Sequence, residues 1–108
     1  MSGTILISSG RGVPLSGWAF RYFIEAIRKQ LLNIGGERFL REIFFGSDEA
    51  FSGFISVVEQ DAEGFALFYR ATHLASLEEP EDDKAGRAVW QNLLDILRSD
   101  PRWVAPTS

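Results

Sequence analysis

The sequence predicts an α+β fold, in which a small, mostly antiparallel sheet of three to four strands carries three helices in the order β-α-α-β-β-α. Three segments repeat apolar residues at helical spacing, and short runs of β-branched and aromatic residues between turn residues are typical of strands. The length of 108 residues and the 45% hydrophobic content suit one domain. We therefore expect residues 1–108 to form a single globular domain, with the tail 104–108 frayed.

The first predicted strand covers residues 4–8, which are rich in β-branched side chains and end at a glycine-rich turn. The segment 13–15 that follows has two interpretations. It either returns as the second arm of a hairpin or leads into a helix. Pro14 would confine such an arm to the edge of a sheet, because proline has no N–H for a strand ladder.

The first predicted helix covers about residues 17–34, with Ser16 as N-cap and a Gly-Gly pair directly after it. Its apolar residues share one arc of the helix, which we predict to face the core. Trp18 and Tyr22 lie off this arc and are four positions apart, so they stack along one helix face. A second, shorter helix is predicted over residues 37–45.

The second part of the chain is predicted to form a β-hairpin and a last helix. Residues 54–59 and 65–74 are interpreted as two strands around a five-residue loop that contains Gly64. Residues 83–99 repeat apolar side chains at helical spacing, and Pro101 follows them. An acidic connector, residues 78–84, joins the last strand to this helix.

Charge is distributed unevenly along the chain, whose formal net charge is -4. Residues 1–45 hold six Lys/Arg against three Asp/Glu, whereas residues 46–108 hold five against twelve. Direct nucleic-acid binding is disfavoured, because affinity for a duplex rests on neutralising phosphates. A basic protein is the better expected partner.

Composition also limits the chemistry and the location of the chain. The absence of cysteine excludes thiolate nucleophiles and cysteine-based metal sites. We see no signal peptide and no apolar stretch of the roughly 18 residues that a membrane span requires. A cytoplasmic location, no membrane association, no cofactor and no metal are therefore expected.

Two features could support an enzyme or an anion-binding domain. The turn Ser8–Gly12 contains Gly10, Arg11 and Gly12, and glycine-rich turns between a strand and a helix can cradle phosphate. The dinucleotide fingerprint would require a third glycine at the position of Leu15, so the match is partial. His73 is the only histidine and could act as a general base. No complete catalytic motif is present, and we predict that the chain is not an enzyme.

The features that favour binding are an acidic run and unpaired aromatic side chains. The run could be a solvated linker that caps the last helix, or a patch that attracts a basic partner. Exposed tryptophan and tyrosine beside charge are typical of interface hot spots. The predicted partner-binding residues are Glu78, Glu79, Glu81, Asp82 and Asp83 as steering charges, with Trp18, Tyr22 and Trp103 as anchors.

Three functional hypotheses follow. The favoured one is a non-enzymatic inhibitor, such as a toxin-neutralising immunity protein, that binds a basic toxin or nuclease. The second is a small anion- or nucleotide-binding domain or enzyme that uses the Ser8–Gly12 turn and His73. The third is a homo-oligomeric accessory subunit that dimerises through the second face of the predicted hairpin, on which Phe54, Val58 and Phe68 would lie.

Overall fold

The structure is a computed structural model that describes residues 2–8, 10–38, 54–58 and 60–103. Over these residues the chain forms three strands and three long helices, so the predicted α+β class is confirmed. The elements are, in chain order, β1 (Ser2–Ser8), β2 (Arg11–Ser16), α1 (Gly17–Asn33), β3 (Phe54–Ser56), α2 (Ala62–Leu77) and α3 (Lys84–Arg98).

The sheet has the strand order β2-β1-β3 and mixes the two pairing directions. β1 and β2 form an antiparallel hairpin in which Ile5 is opposite Val13 and Thr4 is opposite Pro14. Of the two interpretations of segment 13–15, the hairpin is therefore the observed one. Pro14 lies in a strand at the edge of this sheet, as predicted.

The third strand corrects the predicted pairing. β3 pairs with β1 in parallel, with Ile55 opposite Ile5, and Val57 continues the pairing by donating its N–H to the carbonyl of Leu6 at 2.9 Å. It does not form a hairpin with residues 65–74. Parallel strands need a long crossover, and here the chain between β1 and β3 contains α1.

The predicted strand over residues 65–74 is wrong, because this segment lies within helix α2. Asp61 caps the helix, since its Oδ1 accepts from the N–H of Gly64 at 2.8 Å. The loop interpreted as a hairpin turn is thus a helix start. Phe68 is fully buried on this helix, so the hairpin face on which a homodimer was hypothesised does not exist.

Helices α1 and α3 agree closely with their predicted limits of 17–34 and 83–99. Asp83 caps α3 by accepting from the N–H of Gly86 at 3.0 Å. The three helices bury their apolar faces with the inner face of the sheet in one core. Its largest fully buried side chains include Trp90, Phe65, Phe68, Ile5, Ile7, Ile27 and Leu31.

Two predictions concern residues outside the described ranges. In the helix predicted over residues 37–45, Glu37 and Arg38 are helical and the remainder is not described. The tail 104–108, predicted to be frayed, also lies outside the described residues.

Candidate partner-binding surface

Helix α1 is joined to the acidic loop, by which we mean residues 78–83 between α2 and α3. The hydroxyl of Tyr22 donates to Oε2 of Glu79 at 2.7 Å. Two helical turns further along α1, the side-chain amide of Gln30 donates to Oε2 of Glu78 at 2.5 Å. These bonds hold the loop against α1 and place the carboxylate of Glu79 beside Tyr22.

Two of the loop carboxylates point into the molecule. Glu79 is only 9% exposed, and its Oε1 is buried without a hydrogen-bond partner among the described residues. Asp83 caps α3, and its Oδ2 and the Oε1 of Glu79 crowd the same side of Gly86. A Cβ at Gly86 would lie within 2.6 Å of Oδ2 of Asp83 and would collide with Oε1 of Glu79. Any larger residue here would therefore require both carboxylates to move.

Two other carboxylates of the loop point outward. Glu81 and Asp82 are exposed and make no hydrogen bond or ion pair with the rest of the described chain. Glu78 is also exposed, although one of its oxygens accepts from Gln30. Of the five predicted steering charges, Glu81 and Asp82 are thus best placed to meet a partner, whereas Glu79 and Asp83 have structural contacts.

The two aromatic residues on α1 differ in their surroundings, since Tyr22 is held by contacts and Trp18 projects into solvent. Tyr22 is 43% exposed, and its ring packs edge-on against Phe23 at 5.2 Å. Phe23 packs in turn against the buried Trp90 at 4.6 Å. Trp18 is 77% exposed and has no ring contact with the described residues. No described element covers these two side chains, which is the condition that partner binding requires.

Electrostatics in this cluster follow from the same contacts. The hydrogen bond to Glu79, with burial and the charges of Glu79 and Asp83 adding to it, raises the pKa of the Tyr22 hydroxyl to about 12. The hydroxyl therefore remains a donor throughout the physiological range. The N–H of Gly86, which donates to the carboxylate of Asp83, lowers the pKa of Asp83 and so favours its charged form.

Trp103, the third predicted anchor, is not part of this surface. It follows the carboxyl end of α3, whereas the acidic loop precedes the amino end, and a helix of 15 residues is about 22 Å long. Its ring packs edge-on against Tyr69 at 5.8 Å, and its indole N–H is buried without a hydrogen-bond partner. Trp103 thus lies apart from the acidic loop and has Tyr69 as its ring contact among the described residues.

The Ser8–Gly12 turn lacks the context of a phosphate loop. It connects β1 to β2 in a hairpin, with Gly10 at a φ of 79°, and α1 begins only after β2. The alternative in which residues 13–15 lead directly into a helix, which a phosphate loop would need, is therefore not the observed one. Arg11 donates to the hydroxyl of Ser99 at 2.7 Å instead of facing an open cradle.

His73 lies on helix α2 and not at a strand end, which corrects its predicted position. Its ring stacks on that of Tyr69, with 6.2 Å between centroids and 8° between planes.

Within the described ranges, no group of three or more histidine, aspartate and glutamate side chains is arranged to hold a metal ion. No described helix is long and apolar enough to cross a membrane.

Sequence reasoning missed Arg102, which organises the carboxyl end of the described chain. Its Nη1 donates to the carbonyls of Val57, Val58 and Gln60, and its Nη2 donates to that of Ile7. Asp100, which is 7% exposed, accepts from the Arg102 side chain through both of its oxygens at 2.9 Å. Local sequence carries no signal for contacts between residues so distant along the chain.

Similarity to known proteins separates the candidate functions. The fold is that of a chain in a toxin–immunity complex. The matching structure is described as the CdiA-CT toxin from Burkholderia pseudomallei E479 in complex with its cognate CdiI immunity protein, and the similar chain is the immunity protein. The TM-score is 0.83 and the identity is 26%, over 93% of this chain and 97% of that chain. No protein-family model and no curated protein matches the sequence.

Proposed function

We propose that this chain is a toxin-neutralising immunity protein that acts by binding its toxin and not by catalysis. The observation that carries the proposal is the similarity over almost the whole length of both chains to an immunity protein of a toxin complex.

The surface proposed to bind the toxin combines the acidic loop with the aromatic pair on α1. Glu81 and Asp82 present negative charge to solvent, and Trp18 exposes apolar area one helical turn before Tyr22, which contacts the same loop. Interfaces of this kind gain affinity from central aromatic anchors and gain association rate from complementary charge. A toxin with a basic surface fits this arrangement, and we propose such a toxin as the partner in the cytoplasm.

An enzymatic role has less support from the contacts described above. The glycine-rich turn is a hairpin connection, Arg11 is bonded to Ser99, and His73 stacks on Tyr69. Nothing in these contacts pairs a base with a nucleophile, as catalysis by His73 would require.

The experiment that tests the function is growth rescue. Cells that express the toxin domain encoded beside the gene of this chain should stop growing, and co-expression of the chain should restore growth. The purified chain should also form a stable complex with that domain on size-exclusion chromatography. Absence of both rescue and complex formation would contradict the proposal.

A matched pair of variants tests the surface. The double variant Glu81→Gln/Asp82→Asn removes two charges from the acidic loop, and Glu63→Gln/Asp95→Asn removes two exposed charges from the opposite ends of α2 and α3. The first should weaken toxin binding about 10-fold at low salt, and the second should leave it nearly unchanged. Equal effects of the two would show that only net charge matters.

A further inference from the structure

We infer that the acidic loop divides toxin binding between two kinds of carboxylate: Glu81 and Asp82 accelerate association, whereas Glu79 positions Tyr22 and thereby slows dissociation. The inference rests on the proposed function and deepens it, because it also describes the toxin surface that would be complementary to this one. That surface combines an apolar pocket for Trp18 with lysine or arginine side chains.

The outward carboxylates are suited to long-range attraction. Glu81 and Asp82 are exposed and make no contact that packing depends on. Charges in such positions attract an oppositely charged protein before contact, and salt screens them within a Debye length of about 8 Å at physiological ionic strength. Their contribution should therefore appear in the association rate constant and should fade as salt rises.

Glu79 cannot act in this way, because it is turned inward. It is 9% exposed, and its Oε2 accepts the Tyr22 hydroxyl at 2.7 Å. The ring of Tyr22 is thus held between this hydrogen bond and the edge of Phe23. A side chain already fixed before binding loses little conformational entropy in the complex. Glu79 is therefore a positioning residue, and its effect on the toxin passes through Tyr22.

Trp18 defines the complementary feature of the toxin. It lies one helical turn before Tyr22 and is 77% exposed, which is unusual for so large an apolar side chain. Burying it requires an apolar pocket on the partner. Glu81 and Asp82 belong to the loop that Tyr22 contacts through Glu79, and their exposed charges attract cations on the same partner. The chemistry of these side chains thus favours a toxin surface that combines an apolar pocket with lysine or arginine side chains.

The test measures association and dissociation rate constants at two salt concentrations. The ligand is a catalytically inactivated form of the toxin domain encoded beside the gene of this chain. Tyr22→Phe keeps the ring and removes only the hydroxyl, so dissociation should become about 3- to 10-fold faster with association unchanged. Trp18→Ala should accelerate dissociation by more than 10-fold. Glu81→Gln/Asp82→Asn should slow association at low salt, with the difference disappearing at high salt.

A double-variant comparison isolates the role of Glu79. Glu79→Ala removes the acceptor of the Tyr22 hydroxyl, so it should accelerate dissociation, and it should have little further effect in a chain that already carries Tyr22→Phe. If Glu79→Ala instead slows association with the salt dependence of the Glu81/Asp82 variant, Glu79 is a steering charge and the inference is overturned. Circular dichroism confirms that each variant is folded, and Tyr22→Phe alone still decides the outcome if Glu79→Ala unfolds.

Failure of the inference is distinguishable from failure of the proposed function. A wild-type chain that does not bind the toxin domain would contradict the function itself. A wild-type chain that binds, with Tyr22→Phe and Trp18→Ala both showing unchanged dissociation, would leave the function intact and overturn the division of roles.

Discussion

The guanidinium of Arg102 lies 4.5 Å from the ring centroid of Phe65 and donates through Nη2 to the carbonyl of Ile7 at 2.8 Å. It therefore joins the end of β1 to the first turn of α2 from a position after α3. Such a fork of donors can satisfy several carbonyls at once, which the single ammonium of lysine cannot reproduce.

Replacing Arg102 should destabilise the fold strongly. Arg102→Ala leaves Asp100 buried without its partner and removes the donor from four carbonyls, so we expect a loss of about 3 kcal/mol in the free energy of unfolding. Urea denaturation measures this loss, and Arg102→Lys should recover only part of it. Arg70→Ala, at an exposed position, is the control and should stay within about 0.5 kcal/mol of wild type.

The Asp100–Arg102 pair also predicts a pH dependence. The hydrogen bonds from Arg102 hold the pKa of Asp100 below its ordinary value, despite the opposing effect of burial. The unfolded chain therefore takes up the proton first, and the stability from this pair is complete above about pH 4 to 5 and is lost as pH falls further. Asp100→Asn should be less stable at pH 7 and should lose less stability between pH 5 and 2. If the wild type and Asp100→Asn lose the same amount of unfolding free energy as the pH falls from 5 to 2, the prediction is contradicted.

The hydroxyl of Tyr22 should lose its proton at a higher pH than an ordinary tyrosine does. In a Tyr69→Phe variant Tyr22 is the only tyrosine, and its tyrosinate absorbance should appear with a midpoint near pH 12, because Glu79 accepts its proton-bearing hydroxyl. Since the folded-state pKa lies above the unfolded value of about 10, this contact stabilises the fold fully below pH 10 and is lost as pH rises toward 12. Adding Glu79→Gln should move the midpoint toward 10. An unmoved midpoint would mean that Glu79 is not the cause.

Gly86→Ala should destabilise the chain although alanine is the better helix former by about 1 kcal/mol. The new methyl group would displace the carboxylates of Glu79 and Asp83, which accept from Tyr22 and cap α3, and losing such contacts costs about 1 to 2 kcal/mol. Thermal or urea unfolding measures the change. In a Glu79→Ala background the same substitution should cost less, and an equal cost in both backgrounds would place the clash elsewhere.

The misassigned segment 65–74 shows where sequence patterns conflict. Its aromatic residues favour a strand, yet Phe65, Phe68, Thr72 and Ala75 follow the helical spacing and are all buried. Asp61 is a helix N-cap, because its side chain accepts from the N–H of Gly64 three positions later. The composition of the same loop is also typical of a hairpin turn. Recognising the cap would have favoured the helix.

Helices α1 and α3 were predictable because their apolar periodicity, caps and terminating residues agree. The parallel pairing of β1 with β3 was not, because it joins segments about fifty residues apart and no local signal specifies it. For the candidate surface, the acidity of the loop and the exposure of Trp18 could be read from sequence. The inward orientation of Glu79 could not, because it depends on Tyr22 in another helix.

The outward position of Glu81 and Asp82 has a consequence for how such a protein can change over evolution. Neither side chain contributes a contact within the described fold, so either can be replaced at little expense in stability. On the proposed binding surface, a lineage that meets an altered toxin could therefore revise recognition at these two positions while α1, α2 and α3 stay as they are. Tyr22, tied to Glu79 and Phe23, is much less open to such revision.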